Sequence, residues 1–451
     1  MIPEEVLSIY KKIEDAGFQV FFVGGSVRNL LLKRDVVDWD LTTNAIPDQI
    51  LKIFPNGFYN NDFGTVGVSY QIKGEKKVAE ITTFRTEKSY SPTHKPEKVS
   101  WGKTIEEDLA RRDFTINAIA LKLVGKSNSF EMTDPYNGEA DLGKKTIKAV
   151  GDANQRFKED ALRLLRAIRI ATELEFKIEK KTFEKIVEDA PLLEHISKER
   201  VQIELLRILK SENAYDGVML LYKTTLLKYI IPELLDGVNV SQARPGRHHT
   251  EDVFTHNVLS LKYCPSKDQI VKFATLIHDV GKPKSISKDK EGLVIFHNHE
   301  VIGAKIAEDI CNRLKFSKKA KEKVVTLIRW HMFSVNENLT DAAVRRFIRR
   351  IGVENVKDMM DLRVGDRLGG GTQTAESWRL KLFKEKIEKE LKPAPFSISD
   401  LKINGNDIMK TLQIKPGPKV GDILQKLFEE VDEDLSKNKK EYLLDRIKDL
   451  V

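Results

Sequence analysis

The chain has 451 residues and carries Lys+Arg 76 against Asp+Glu 68, a formal charge of +8 with a pI near 9.0. That length exceeds one ordinary core, so two or more globular units are expected, and the basic excess permits a polyanionic partner without demanding one. Two cysteines, Cys264 and Cys311, are too few for a disulfide framework, no apolar run approaches membrane-spanning length, and residues 1–10 lack a charged-then-apolar leader; no membrane partner is expected, and the cytoplasm is the default location.

Residues 19–23 form an apolar run that predicts a strand, and Gly24-Gly25 opens a helical stretch from Ser26 to about residue 32. Backbone N–H groups at such a helix start attract anions, and glycine lets a triphosphate come close. Asp38-Trp39-Asp40 follows. Two Asp residues one apart on an extended segment share a face, and hard oxygen ligands suit Mg2+. Glu80, inside a predicted strand over 78–84, is placed to give a third carboxylate. Singly these fragments are commonplace, since Gly-Gly is usually a turn and Asp-x-Asp a solvated loop. In this order and spacing they read as a two-metal nucleotidyl-transfer site, where paired ions activate a hydroxyl and stabilise leaving pyrophosphate.

Up to about residue 150, β-branched and aromatic runs (63–72, 78–84, 114–124) alternate with turn clusters, which predicts a mixed sheet with flanking helices. After Gly151 the pattern is helical, and Leu162, Leu165, Ile168, Ala171 and Leu174 keep the period of an amphipathic helix. Residues 238–250, with Pro245 and Gly246, read as a linker, and Lys392-Pro393-Ala394-Pro395 as a second break before a small helical tail. The fold class is therefore α+β and mostly α. Its expected divisions are a catalytic head over 1–150, a helical neck over 151–237, a helical body over 238–392 and a tail over 393–451.

At the start of the amphipathic helix, Asp160 and Arg163 are three residues apart and share a face. An acceptor beside a donor complements cytosine or adenine, each of which shows an amino donor next to a ring-nitrogen acceptor, whereas uracil and guanine show the reverse order. Such a pair favours CTP and ATP over UTP and GTP, a mismatch costing on the order of 1–3 kcal/mol per contact. The plain alternative is a helical salt bridge between the two residues.

Five ordered motifs carry a resemblance: Gly24-Gly25-Ser26-Val27-Arg28 with Asp38-x-Asp40; Arg111-Arg112-Asp113-Phe114-Thr115-Ile116-Asn117-Ala118; Asp134-Pro135-Tyr136-Asn137-Gly138 with Asp141-Leu142; Arg156-Phe157 with Glu159-Asp160-x-x-Arg163; and Ser197-x-Glu199-Arg200 with Glu204-Leu205. Over its first half the chain resembles class II, bacterial-type tRNA nucleotidyltransferases of the CCA-adding kind, in the polymerase-β-like superfamily. The resemblance implies that Asp38 and Asp40 hold Mg2+, with Glu80 the third carboxylate, and that Gly24, Gly25, Ser26, Arg28, Arg112, Asp113 and Asn117 hold the nucleotide's sugar and triphosphate. It implies that residues 134–142 form a hinge and that Glu159, Asp160 and Arg163 form an amino-acid template for the base, with Arg166 also at the nucleotide. Members usually have Asp where this chain has Asn29, which keeps an acceptor but loses a charge. The polar segment over 85–96 corresponds to a lever loop that lets such sites switch from CTP to ATP. Lysines of the neck and tail, with Arg163, Arg166 and Arg169 at helical spacing, suggest a basic track for the tRNA acceptor arm.

In the second half, His256, His278-Asp279, His299, His331 and Asp366 resemble the ordered ligand set of an HD-domain phosphohydrolase, with His278 and Asp279 expected at a helix start. Imidazoles and carboxylates of this kind hold one or two divalent ions, a transition metal or Mg2+, that activate water against a phosphoester. The resemblance implies cleaning of damaged tRNA ends, as by a 2′,3′-cyclic phosphodiesterase or phosphatase. His248-His249 read as linker residues. The tail over 401–421 is similar to the terminal segment of HD-bearing members. The combined expectation is CCA addition to tRNA from CTP and ATP. The alternatives are A-only addition, a bacterial poly(A) polymerase, or an HD phosphohydrolase whose head is an inactive RNA-binding module.

Overall fold

The computed structural model describes residues 2–60, 64–72, 74–86, 101–125, 129–242, 251–333, 339–391 and 397–450. The lever-loop expectation, from residue 87 onward, lies outside them, as do His248-His249 and most of the two expected breaks. The chain divides into two compact units, Met1–Leu235 with Arg313–Phe316, and Asp236–Asn312 with Ser317–Val451.

The first unit begins with α1 (Glu4–Asp15), whose Glu4 and Glu5 in the first turn and Lys12 in the last complement the helix dipole. Its Val6, Ile9, Tyr10 and Ile13 are buried, a helical stripe that covers the sheet. Strand β1 (Val20–Val23) is buried throughout and runs into α2 (Gly24–Leu31). Then come β2 (Trp39–Thr43), α3 (Pro47–Ile53), β3 (Phe58–Asn60), β4 (Thr65–Ile72) and β5 (Glu75–Thr83). After α4 (Ile105–Ala110) the chain forms β6 (Ala120–Val124), β7 (Ser129–Thr133) and α5 (Gly138–Gly143). The sheet order is β3-β4-β5-β2-β1-β6-β7. Only the β2–β5 pair is parallel, so the sheet is mixed.

The run over 114–124 is strand only in its second half. Thr115–Asn117 is a 3-10 turn. The Asp113 carboxylate accepts from the Phe114 N–H (2.9 Å) and from Asn117 Nδ2 (3.0 Å), and Thr115 donates to Asp141 (2.7 Å). These local bonds offer the backbone an alternative to the ladder.

Beyond the sheet, α6 (Ala153–Glu159) and α7 (Leu162–Leu174) follow, then α8 (Lys180–Asp189), α9 (Lys198–Lys210) and α10 (Ala214–Lys223). The expected amphipathic helix is α7, but it is buried almost all round: Leu164, Leu165, Ala167, Ile168, Ile170 and Ala171 are joined in the interior by Arg163 and Arg169.

Among its described residues the second unit is helical apart from a two-stranded hairpin. Helices Val253–Tyr263 and Val356–Gly369 approach closely, because a Cβ at Gly365 would meet the Ser260 carbonyl oxygen at 2.6 Å and one at Gly369 would collide with Ser260 itself. Gly281 fits equally tightly against His299 and Gly303. At the other end of the unit, helices Gly405–Leu412, Pro418–Glu433 and Lys440–Asp449 enclose a separate cluster of Ile408, Ile423, Leu427, Val431, Leu443 and Ile447. Among the described residues no helix is long and apolar enough to cross a membrane.

Candidate active site and second metal centre

The head site is built where β1 ends and β2 begins. Gly24 has φ +69°, and a Cβ there would lie 3.1 Å from both Asp40 Oδ2 and an Arg112 guanidinium nitrogen. The glycine therefore admits a carboxylate and a cation to the start of α2. Gly25 is next to it, where an added Cβ would meet Arg28 at 3.6 Å. Ser26 is buried, and its hydroxyl donates to the Val23 carbonyl (2.7 Å), so its side chain ties the turn to the strand and leaves only its backbone to face a phosphate.

In the parallel pair, Asp40 is directly opposite Glu80. Asp38 immediately precedes β2. Burial pushes the Asp40 carboxyl up to about 6, with Arg112 opposing the shift and Glu80 and Asp38 reinforcing it. Carboxylates that raise one another's cost of ionisation are the environment a hard divalent cation relieves, so this set fits Mg2+.

A hydrogen-bond chain leads away from these acids. Arg28 donates to Asn29 Oδ1 (3.1 and 3.0 Å) and to Asn117 Oδ1 (2.9 Å). Asn117 donates to Asp113, whose other oxygen takes Arg166 at 2.7 and 2.6 Å. Burial works against ionised Asp113, but Arg166, Asn117 and Arg163 outweigh it and hold the carboxyl well below its usual range. Asp113 is thus saturated by protein partners and acts by orienting Asn117 and Arg166.

Arg112 is held by a residue the sequence reading missed. Asp108, fully buried, takes Arg111 on one oxygen (3.0 Å) and Arg112 on the other (2.9 Å). The available signal was the i, i+3 and i, i+4 spacing from Asp108 to the two arginines.

Asp160 is not inside a helix with Arg163. It is extended (φ −150°) between α6 and α7, with its Oδ1 accepting from the Leu162 N–H (3.1 Å) in the manner of an N-cap. The two do not pair with each other: Asp160 Oδ2 takes Arg200 (2.7 Å), and Arg163 takes Glu159 (2.8 Å). Arg163 also donates to the carbonyls of Arg156 (3.0 Å) and Arg111 (2.8 Å). Arg156, likewise paired with Glu159 (2.8 Å), and Arg200 were given no role from sequence. Arg169 is buried and bound by Glu204 at 3.1 Å, so it cannot serve a surface track.

In the second unit all six expected ligands converge. His256 Nε2 lies 3.2 Å from His278 Nε2, 3.2 Å from Asp279 and 3.3 Å from Asp366. His299 and His331 approach the other Asp279 oxygen at 3.3 and 3.5 Å. Asp279 thus bridges two potential trios, His256-His278-Asp279 and Asp279-His299-His331. His278, His299 and His331 each direct Nδ1 at a backbone carbonyl three residues earlier (2.8, 2.8 and 2.7 Å), so Nδ1 donates and the Nε2 lone pair faces the cluster. Buried Nε2 atoms of His299 and His331 make no hydrogen bond, and such bare lone pairs fit a divalent metal. His278 and Asp279 lie in the turn beyond the C-terminal end of helix Gln269–Leu276, not at a helix start.

Comparison with known proteins follows the same division. Residues 20–148 match the poly A polymerase head domain, 175–237 the RNA- and SrmB-binding site of polymerase A, and 286–447 tRNA nucleotidyltransferase domain 2. The CCA-adding enzyme of Lactococcus lactis subsp. lactis is 30% identical over 459 residues, covering 100% of this chain and 99% of that one. That of Listeria monocytogenes is 38% identical over 232 residues, where the match takes in 51% of this chain and only 57% of the relative. The crystal structure of Bacillus stearothermophilus CCA-adding enzyme in complex with CTP superposes with a TM-score of 0.75 at 26% identity, covering 100% of this chain and 98% of that one.

Proposed function

The chain belongs to the family of CCA-adding enzymes, and from that premise we propose that it adds CCA to tRNA 3′ ends in the cytoplasm, using CTP and ATP. The observation that carries this reading is the continuity between the acids and the template. Arg163 is bonded to the Arg111 carbonyl, while the adjoining Arg112 stands beside Gly24 and Asp40. A base read by Asp160 and Arg163 would thereby have its triphosphate near α2 and the carboxylates.

The tRNA 3′-hydroxyl would give up its proton to solvent, and its oxygen would form a bond to the α-phosphorus as the α–β anhydride bond breaks and the electron pair leaves on pyrophosphate. Divalent ions, when held by Asp38, Asp40 and Glu80, would supply hydroxyl activation and charge neutralisation. The chain's own contribution is positioning: Arg28, Arg112 and the N–H groups of α2 orient the triphosphate, Asp108 fixes Arg112, and Asp113 fixes Asn117. The site can be tested with Asp40→Asn and Glu80→Gln, which should abolish nucleotide addition to a tRNA transcript lacking its last three residues. Retained addition in both would remove the carboxylates from the mechanism.

The convergence of six ligands supports a second activity in the other unit, metal-dependent hydrolysis of a phosphoester at an RNA end. The expectation is hydrolytic opening of a 2′,3′-cyclic phosphate at such an end, water adding to phosphorus as one ribose P–O bond breaks to leave a phosphomonoester and a free hydroxyl, dependent on divalent metal and lost in Asp279→Asn. Full activity after exhaustive chelation would contradict it.

A further inference from the structure

Arg28 has an unusual set of partners for a cation in an active site. Its three hydrogen bonds all go to neutral amide oxygens, two to Asn29 and one to Asn117. Among the described residues no carboxylate lies within ion-pair distance of it. The acids that act on it from farther away are spoken for: Asp113 is taken by Arg166, Glu173 faces Arg207 (3.4 Å) and Arg169 (3.9 Å), and Asp40 belongs to the carboxylate set. Arg166 adds a like charge nearby. Half-buried cations are ordinarily compensated, and one whose charge is left open attracts an anion.

The geometry also shows what another residue would do at position 29. Asn29 Oδ1 receives both Nε and one terminal nitrogen of Arg28. An Asp there, of the same shape, would place a full negative charge on that edge as an ion pair and cancel most of the charge Arg28 presents to the site.

We propose that Asn29 is an affinity-determining residue: by orienting Arg28 through a neutral acceptor, it leaves the guanidinium charge available to the pyrophosphate portion of the nucleotide at the start of α2. This rests on the reading of the head as a nucleotidyl-transfer site and extends it to the strength of triphosphate binding. Because the effect acts on phosphates, it is blind to the base. It applies equally to the nucleoside triphosphate and to the released pyrophosphate, so tighter substrate capture brings stronger product inhibition.

The experiment compares full-length wild type, Asn29→Asp and Asn29→Ser. Equilibrium binding of inorganic pyrophosphate with Mg2+ is measured alongside steady-state addition to a tRNA ending in CC or lacking CCA. Loss of the open charge should weaken pyrophosphate binding and raise KM for CTP and ATP by a common factor of about 3–10 in Asn29→Asp, with kcat and base choice little changed. Asn29→Ser, which withdraws the amide oxygen and shortens the side chain without adding charge, should fall between the two. Unchanged pyrophosphate affinity and KM in Asn29→Asp, or tighter binding there than in wild type, would overturn the proposal. Failure of wild type to add any nucleotide would instead refute the nucleotidyl-transfer reading on which it rests.

Discussion

Arg200 donates to Asp160 Oδ2 at 2.7 Å, while the other oxygen of the same carboxylate caps α7 at Leu162. One carboxylate thus both starts the helix that carries Arg163 and stays aimed by an arginine from α9. A base donating to Oδ2 would share it with Arg200 or displace it. Because the pair is partly exposed, its worth is under about 1 kcal/mol, so Arg200→Ala should raise KM for CTP and ATP only about twofold to fivefold. Steady-state kinetics on both nucleotides checks this, and a selective effect on one would show that Arg200 contacts a base.

Arg163 should matter for choice of base. Arg163→Ala removes one of the two groups proposed to read the base edge, and discrimination against UTP and GTP should fall about 10- to 100-fold, the equivalent of one base contact. Initial incorporation rates with each of the four triphosphates measure it. Unchanged selectivity would sink the template assignment.

Much of this arrangement was legible in the sequence, and what was not has a common cause. The β-branched run over 78–84 foretold the strand that carries Glu80, and Asp38-x-Asp40 was placed on an extended segment, although only the parallel β2–β5 pairing sets Asp40 and Glu80 opposite each other. Six histidine and aspartate residues were singled out by their resemblance to an ordered ligand set, and the fold brings them together. Partner choice was not: Asp160 and Arg163, three apart, suggested a shared helix face, yet the chain extends at Asp160 and each finds a partner elsewhere. Asp108 shares its helical turn with Glu106 and Glu107, so its spacing to the two arginines does not stand out among three acids, and its burial is what singles it out as their anchor.

That anchor has a pH signature. Burial opposes ionised Asp108, but Arg111 and Arg112 outweigh it and bring its pKa to about 2. Since the folded value is below the unfolded value of about 3.9, the contribution is fully present above pH 4 and fades as pH falls toward 2, amounting to about 2–3 kcal/mol at neutrality. Asp108→Asn should lose about that much in urea unfolding at pH 7, and its deficit should shrink below pH 4. A deficit independent of pH would mean the carboxylate charge is not what stabilises the wild type.

The histidine cluster should report metal directly. Added divalent metal should raise the thermal midpoint of the wild-type protein, as any ligand that binds only the folded state does, by more than it raises that of His299→Gln. Calorimetry with Mn2+ or Zn2+ at fixed protein concentration tests this. An equal rise in both proteins would remove His299 from the ligand set.

One head that reads both bases should stop after three additions. Three tRNA transcripts, ending before CCA, after C and after CC, would each be incubated with CTP, ATP or both under Mg2+. The prediction is C, C, then A, with no further extension and each transcript completed to the same end. Addition of A to the CC-ended transcript alone would assign the cytidines to another enzyme, and long A tails would contradict the claim outright.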